Sequence, residues 1–141
     1  MAYTIDASPQ SPNHSSREGA DISMLVLHAT VGSYASSLAW LTNPQSGVST
    51  HYLIRKDGYI NQLVPTSRAA WHAGMSRWFD LDSGEIQRGS LGVELENRNT
   101  GIDPYPAAQL DAALWLCRML VSDYRIVPDM VTRHLDIAIP K

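Results

Sequence analysis

Short apolar and alternating segments predict the strands of a β-sheet. Residues 22–27 form an apolar run that ends at His28, a pattern typical of a buried central strand. Residues 90–96 alternate instead, with an aliphatic face and an opposite face that carries Glu94. Both predicted strands therefore bring an ionisable side chain to the border of the core.

A β-hairpin is predicted around Asp57-Gly58. Residues 49–55 alternate between two faces, and residues 59–64 have the pattern of the returning strand. Asp-Gly is a strong signal for a two-residue turn, because both central positions of such a turn favour a positive φ.

Two segments have a helical pattern. Residues 34–41 predict a short helix, which Asn43-Pro44 ends. Residues 107–124 predict the clearest helix, since their apolar positions repeat at the three-to-four spacing of one buried stripe. The predicted stripe comprises Leu110, Ala113, Leu114, Cys117, Leu120, Val121 and Tyr124.

The remaining segments predict connections within one domain. Residues 65–89 show no clear period and predict a long loop, of a kind that is commonly functional. Residues 8–20 are polar and rich in turn formers, which indicates an N-terminal arm that is either ordered by docking or loose. No repeat or linker divides the chain.

Composition and charge exclude several classes of protein. The 141 residues are 44% hydrophobic and 18% charged, a profile typical of one globular domain. The net charge of −3 gives no reason to expect binding to nucleic acid or to an anionic membrane. No apolar run approaches the roughly 18 residues of a membrane span. Cys117 is the single cysteine, so neither an internal disulfide nor a cysteine-rich zinc site is expected.

Two histidines follow predicted strands that are far apart in the sequence. His28 ends the first strand, and His134 follows a short strand predicted over residues 130–133. Two imidazoles at strand ends suit zinc, which in catalytic sites usually takes three protein ligands and leaves one position open. Buried histidines whose hydrogen bonds are satisfied by the backbone are the more common explanation of such positions.

Two further features suit a catalytic cleft. Glu94 could act as a general base if burial raises its pKa toward neutrality, although for this residue taken alone a solvated polar face shared with Glu96 is the favoured explanation. Trp71-His72-Ala73-Gly74 combines an aromatic wall, an imidazole and a glycine, which suits a sugar or peptide cleft and also a packed loop. Cys117 lies on the predicted helix stripe, where an unreactive thiol is expected.

Five segments in chain order carry a family resemblance. They are Val26-Leu27-His28-Ala29-Thr30, Ser49-Thr50-His51-Tyr52-Leu53-Ile54 with Lys56-Asp57-Gly58, Ala70-Trp71-His72-Ala73-Gly74, Ser90-Leu91-Gly92-Val93-Glu94-Leu95-Glu96-Asn97 and His134-Leu135-Asp136-Ile137-Ala138. Over about residues 10–141 the chain resembles the type 2 N-acetylmuramoyl-L-alanine amidases, relatives of the peptidoglycan recognition proteins.

The resemblance implies an α/β fold with a mixed central β-sheet flanked by helices. It also implies one zinc ion (Zn²⁺) and hydrolysis of the amide between N-acetylmuramic acid and L-alanine in peptidoglycan or muropeptides. The expected location is cytoplasmic or phage-released, because no signal peptide is recognisable. Nucleic-acid and membrane partners are not expected, and nothing in the pattern argues for a dimer.

The resemblance also implies roles for individual residues. His28 and His134 match two zinc ligands, and Glu94 matches the glutamate that assists the attacking water. Trp71, His72 and Ala73 match the wall of the substrate groove. His51 belongs to the family pattern as well, with a structural role expected from its strand position. Thr50 stands where some phage members use a tyrosine, which agrees with a mechanism that depends on glutamate.

The family pattern places its third zinc ligand, an aspartate, and a lysine farther along than this sequence reaches. We therefore expect residues 1–141 to be a single amidase domain without its C-terminal segment, and the third ligand to lie beyond Lys141. Asp136 or His72 could complete the site instead. A further alternative is a non-catalytic peptidoglycan-binding module of the same fold.

Overall fold

A six-stranded mixed sheet forms the centre of the computed structural model, which describes residues 3–139. The strands are β1 (Ile5–Asp6), β2 (His14–Ser16), β3 (Met24–Ala29), β4 (Tyr52–Ile54), β5 (Ile60–Gln62), β6 (Arg68–Ala70), β7 (Ser90–Leu95) and β8 (Val131–Arg133). The helices are α1 (Tyr34–Thr42), α2 (Ser83–Gly89), α3 (Ala107–Tyr124) and α4 (His134–Ile137), with a 3₁₀ turn at Pro128–Met130.

The strand order in the large sheet is β1-β5-β4-β7-β3-β8, and β2 pairs with β6 in a separate two-stranded sheet. Strands β4, β7, β3 and β8 run parallel, whereas β4 and β5 are antiparallel. The predicted mixed sheet flanked by helices is confirmed. In the described part of the chain, no helix is long and apolar enough to cross a membrane.

The pairing of β3 with β7 decides which side chains share a face. The parallel register runs without interruption from the Met24–Ser90 pair to the His28–Glu94 pair. Because side chains alternate along each strand, His28 and Glu94 lie on the same face of the sheet. Ser90 and Gly92, which precede Glu94 by four and two residues, lie on that face too.

Helices cover both faces of the sheet. Helix α3 packs on one face against the aliphatic residues of β4 and β7, which include Ile54, Leu91 and Val93. On the opposite face, α2 and α4 contribute Ile86 and Ile137 to a second cluster with β3. Helix α1 packs beside them through a third, smaller cluster. The face that carries His28 and Glu94 is therefore the one covered by the shorter helices.

Helix α3 has the predicted bounds but a different buried face. Leu110 and Leu114, predicted to be buried, are 49% and 50% exposed. The buried positions of the helix are Gln109, Ala112, Leu116 and Leu120. The predicted stripe is confirmed at Leu120 and wrong at Leu110 and Leu114. The buried face is turned toward Gln109, which is polar yet fully buried and donates from Nε2 to the carbonyls of Ile54 and Glu96 at 3.0 Å each.

The predicted hairpin is confirmed as β4 and β5, but its turn differs from the prediction. Gly58 has a positive φ of 91°, and Asp57 is not among the residues with positive φ. The amide of Gly58 donates to the Arg55 carbonyl, and the amide of Arg55 donates to the Tyr59 carbonyl. The loop is therefore a three-residue turn that needs the left-handed conformation only at glycine.

The prediction of one long loop over residues 65–89 was wrong. The segment contains β6 and α2, and α2 begins with a capping box in which Asp82 and Glu85 satisfy each other's backbone amides. The Asp-x-x-Glu spacing is a helix signal that could have been recognised in the sequence. Strand β6 pairs with β2, so the polar N-terminal arm is ordered by docking.

Gln109→Ala should destabilise the fold, whereas Leu110→Ala should not. Removing the amide leaves the Glu96 carbonyl without this donor and the Ile54 carbonyl with only the Glu96 amide, which costs about 1–3 kcal/mol in free energy of unfolding. Leu110 is half-exposed, so its truncation should cost less than about 1 kcal/mol. Urea unfolding of the two variants measures the difference. A larger loss in Leu110→Ala would mean that the helix buries the predicted stripe.

Candidate active site

A groove of about 490 Å³ opens on the His28 face of the sheet, near the C-terminal ends of β3 and β7. Parallel strands commonly present ligand-binding residues at their C-terminal ends. The side chains that line the groove include His28, Glu94, Trp71, His72, His134 and Trp40. The structure therefore brings together five of the six predicted site residues.

The two predicted metal ligands face each other directly. Strand β8 pairs with β3, with Arg133 opposite Leu27, and this pairing places His134 beside His28. The Nδ1 atoms of the two imidazoles are 3.1 Å apart. Burial, together with the smaller effect of the charge of His134, lowers the pKa of His28 to about 3. Burial also lowers the pKa of His134, against a hydrogen bond to the carbonyl of Ala73.

This pair of imidazoles has the protonation state and spacing of a metal site but not, among the described residues, the full number of ligands. Both rings are neutral near pH 7, and the neutral imidazole is the form that binds metal. Two nitrogen atoms that face each other across 3.1 Å need a proton or a cation between them. Among residues 3–139, however, no three His, Cys, Asp or Glu side chains form a group that could hold a metal. The described residues thus offer two candidate ligands, one fewer than the three protein ligands usual for catalytic zinc.

Neither alternative third ligand is placed to bind the same ion. The Asp136 carboxylate accepts from the guanidinium and from the backbone amide of Arg133, at 2.8 and 2.9 Å. The His72 ring contacts His28 at Nε2, not at the nitrogen that faces His134. The expectation of a ligand beyond Lys141 lies outside the described residues and stays a prediction.

His72 is buried beneath the groove, with only 8% of its surface exposed. Its Nδ1 lies 3.0 Å from His28 Nε2, and its Nε2 lies 2.8 Å from Ser90 Oγ. The ring packs directly over Gly92, where a Cβ atom would lie 2.6 Å from the Cγ of His72. Gly92 is therefore required for the position of this imidazole.

The side chain of Trp71 lies in the groove, whereas that of Ala73 lies in the core. Trp71 is half-buried in the groove wall, where its amide donates to Ser49 Oγ and its indole donates to Ser15 Oγ. Ala73 is fully buried, with its side chain in the core. Its carbonyl, rather than its methyl group, faces the site through the hydrogen bond to His134. Substrate contacts by Trp71, His72 and Ala73 stay predictions.

Glu94 is half-buried, and its carboxyl lines the groove. Burial raises its pKa from 4.5 to about 7. A carboxyl group with a pKa near neutrality can both accept and return a proton at physiological pH, as a general acid–base catalyst must. The geometry is consistent with the predicted role of Glu94.

His51 lies behind the site and joins two backbone segments. Its Nδ1 accepts a hydrogen bond from the amide of Gly92 at 3.0 Å, and its Nε2 lies 2.8 Å from the carbonyl of Arg68. It is fully buried, which lowers its pKa to about 3. These contacts suit the expected structural role, since they hold β7 next to β6.

Sequence reasoning missed Ser90 and Gly92 as contributors to the site. Both lie on the Glu94 face at a spacing of two residues, and this spacing was the signal that could have identified them. Trp40 was missed as well. It is 55% exposed and lines the groove from helix α1.

Comparison with known proteins identifies the family. The family model described as N-acetylmuramoyl-L-alanine amidase matches residues 18–141. The chain belongs to the N-acetylmuramoyl-L-alanine amidase family. The predicted resemblance is therefore confirmed.

Amidases of known name and structure are similar to this one. N-acetylmuramoyl-L-alanine amidase AmiD of Escherichia coli K12 is 40% identical over 131 residues, which are 83% of this chain and 46% of AmiD. The structure of E. coli AmiD in complex with anhydro-N-acetylmuramic acid-L-Ala-D-γ-Glu-L-Lys superposes with a TM-score of 0.74 at 35% identity, covering 92% of this chain and 53% of AmiD.

A further amidase structure has the same fold and was solved with a related ligand. AmpDH3 of Pseudomonas aeruginosa, in complex with anhydromuramic pentapeptide, has a TM-score of 0.74 and 28% identity, covering 99% of this chain and 60% of that protein. This amidase chain thus spans about half the length of AmiD.

Gly92→Ala should destabilise this amidase, while Gly89→Ala should not. The new methyl group at position 92 collides with the His72 ring, and such overpacking costs about 1–3 kcal/mol. At position 89 the nearest atoms are 3.5 Å away, an ordinary contact. Urea unfolding of both variants tests this. An equal stability of the two variants would mean that the His72 ring can move without cost.

The stability of the protein without added metal should depend on pH through Glu94. The folded-state pKa of about 7 is above the unfolded value of 4.5, so the folded state binds this proton more tightly. The free energy of unfolding therefore falls as the pH rises from about 4.5 to 7. In Glu94→Gln this loss is absent, which should make the variant more stable at pH 7.5 by about 1–3 kcal/mol.

Urea unfolding at pH 4.5 and 7.5 measures that effect. Subtracting the variant from the parent removes the contributions of the buried histidines, because both proteins contain them. The same pH dependence in both proteins would show that the pKa of Glu94 is equal in the folded and unfolded states.

Proposed function

We propose that this domain hydrolyses the amide bond between N-acetylmuramic acid and L-alanine in peptidoglycan or muropeptides, with the help of a zinc ion. The observation that carries the proposal is the pair of facing imidazoles, His28 and His134, beside the buried carboxyl of Glu94 in one groove. Family membership supports the reaction, and the amidase structures with bound anhydromuropeptides support the class of substrate.

His28 and His134 would hold the zinc ion through their Nδ1 atoms, with the third ligand predicted beyond Lys141. When bound, zinc supplies Lewis-acid polarisation of the scissile carbonyl and acidifies a water molecule. Neutral imidazoles suit this role, since binding then requires no proton to be removed from a charged ring.

Glu94 would move the protons of the reaction. Its carboxylate takes a proton from the attacking water and returns it to the nitrogen of the leaving L-alanine. A pKa of about 7 makes both steps accessible near neutral pH, because neither protonation state is strongly favoured. The half-buried position excludes part of the bulk solvent, which strengthens the electrostatic interactions of the carboxyl group.

The groove walls would hold the substrate on either side of the reacting bond. Trp40, on helix α1, and Trp71, directly after β6, both line the groove with aromatic surface. Aromatic rings supply a large contact area at a small cost in side-chain entropy, and this suits sugars and peptides alike. The groove, at about 490 Å³, lies within the usual range of small-molecule sites.

Glu94→Gln should bind zinc and lose turnover. General acid–base catalysis contributes about 10²–10⁴-fold, so kcat on an anhydromuropeptide should fall by that factor. The zinc affinity should stay close to that of the parent, because Glu94 is not proposed as a ligand. Chromatography of the released product measures turnover, and chelator competition measures the zinc affinity.

Two controls make the result specific. Glu96→Gln changes a nearby carboxyl that accepts from the amides of Tyr34 and Lys56, so kcat should be unaffected. His28→Ala should lose zinc and turnover together. Unchanged turnover in Glu94→Gln would refute the proposed base, and binding of muropeptide by the parent without any cleavage would indicate a binding module.

A further inference from the structure

Three side chains form a continuous hydrogen-bonded chain from the core to the candidate metal position. Ser90 Oγ lies 2.8 Å from His72 Nε2, and His72 Nδ1 lies 3.0 Å from His28 Nε2. The remaining nitrogen of His28, Nδ1, faces His134 at 3.1 Å. No substrate contact is needed to explain the position of His72, because both of its ring nitrogens already have partners.

Burial keeps this chain neutral. Burial lowers the pKa of His72 well below its usual value, and the nearby His28 lowers it further. Ser90 is fully buried. A neutral imidazole carries one donor and one acceptor, so the tautomer of one ring fixes the tautomer of the next. The chain therefore has two self-consistent arrangements of its protons.

In the first arrangement, the Ser90 hydroxyl donates to His72, His72 donates to His28, and His28 carries its proton on Nδ1. In the second, the directions are reversed. His28 then donates from Nε2 to His72, and His72 donates from Nε2 to Ser90 Oγ. Only the second arrangement leaves a lone pair on His28 Nδ1, the atom that faces His134.

We propose that Ser90 and His72 form a relay that holds His28 in the tautomer needed for metal binding, with His28 Nε2–H donating to His72 and His72 Nε2–H donating to Ser90. His72 is then a positioning residue and not part of the substrate wall. The inference rests on the proposed zinc site and adds to it two residues that act through a ligand. The three side chains carry the same number of protons in both arrangements, because each imidazole is neutral and Ser90 keeps its hydroxyl proton.

The fold supports this relay through the spacing of β7. Ser90 and Gly92 lie on the same face as Glu94, and the missing side chain of Gly92 makes room for the His72 ring between Ser90 and His28. The ring is thus confined by backbone on one side and by its two hydrogen-bond partners at its ends. Hydrogen-bonded partners of this kind typically change metal affinity by about 10- to 100-fold when removed.

Ser90→Ala tests the relay with the smallest change. The variant removes the acceptor for His72 Nε2–H and leaves a buried donor unpaired in the metal-bound arrangement. Thr132→Val is the matched control, since it removes another buried hydroxyl, on β8, that donates to the Leu25 carbonyl and has no contact with the relay. The zinc dissociation constant of the full chain is measured for each by chelator competition, together with ¹⁵N shifts of the histidine rings.

In the zinc-loaded parent, the ring shifts should show His28 and His72 both protonated on Nε2. Zinc should bind about tenfold more weakly to Ser90→Ala than to the parent, and equally well to Thr132→Val. At saturating zinc, most of the kcat on a muropeptide should be recovered in Ser90→Ala, because Ser90 is fully buried and reaches the ion only through His72 and His28.

If the parent binds zinc, either of two results would overturn the relay. One is equal zinc affinity in Ser90→Ala and Thr132→Val. The other is a zinc-loaded parent with His72 protonated on Nδ1, and this measurement requires no variant to fold. A parent that binds no zinc also refutes it. A parent that binds zinc and shows the expected tautomers but cleaves no muropeptide would refute the proposed function and leave the relay intact.

Discussion

The parallel pairing of β3 with β7 is the constraint on which the candidate site depends. It runs over six residue pairs, and the fifth of them places His28 beside Glu94. A slip of one residue would turn one of these side chains to the other face of the sheet, into the aliphatic layer under α3. The continuous apolar packing on that side therefore fixes the register, and the register fixes the distance between the imidazole and the carboxyl group.

The same pairing explains why the polar side chains can be buried at all. A polar group in a low-dielectric interior is tolerated when each donor meets an acceptor. His72 meets this requirement through Ser90 and His28, and His51 meets it through the backbone of β7 and the Arg68 carbonyl. Small residues on β7 provide the space. The arrangement of the groove thus depends on the space that Gly92 leaves for the His72 ring as well as on the ionisable side chains.

Local patterns predicted much of the fold, because they depend on neighbours in the sequence. The hairpin and the bounds of α3 are examples, as is the placement of His28 at a strand end. Gln109 was not predictable as a buried residue, since its acceptors lie on other elements. For the same reason the ring contacts of His72 were not predictable: only the folded chain shows that Ser90 and His28 lie against its two nitrogens. The contact of His72 with substrate, which the family resemblance implies, stays a prediction.

His28 and His134 are 106 positions apart in the chain, and their rings are in contact. A cross-link between such distant positions reduces the number of conformations open to the unfolded chain, which for a loop of about 100 residues corresponds to roughly 4–5 kcal/mol in the chain-entropy description. An ion held by both rings would act as such a cross-link. The short edge strand β8 and helix α4 would then be held to the sheet by the ion in addition to their strand pairing and core packing.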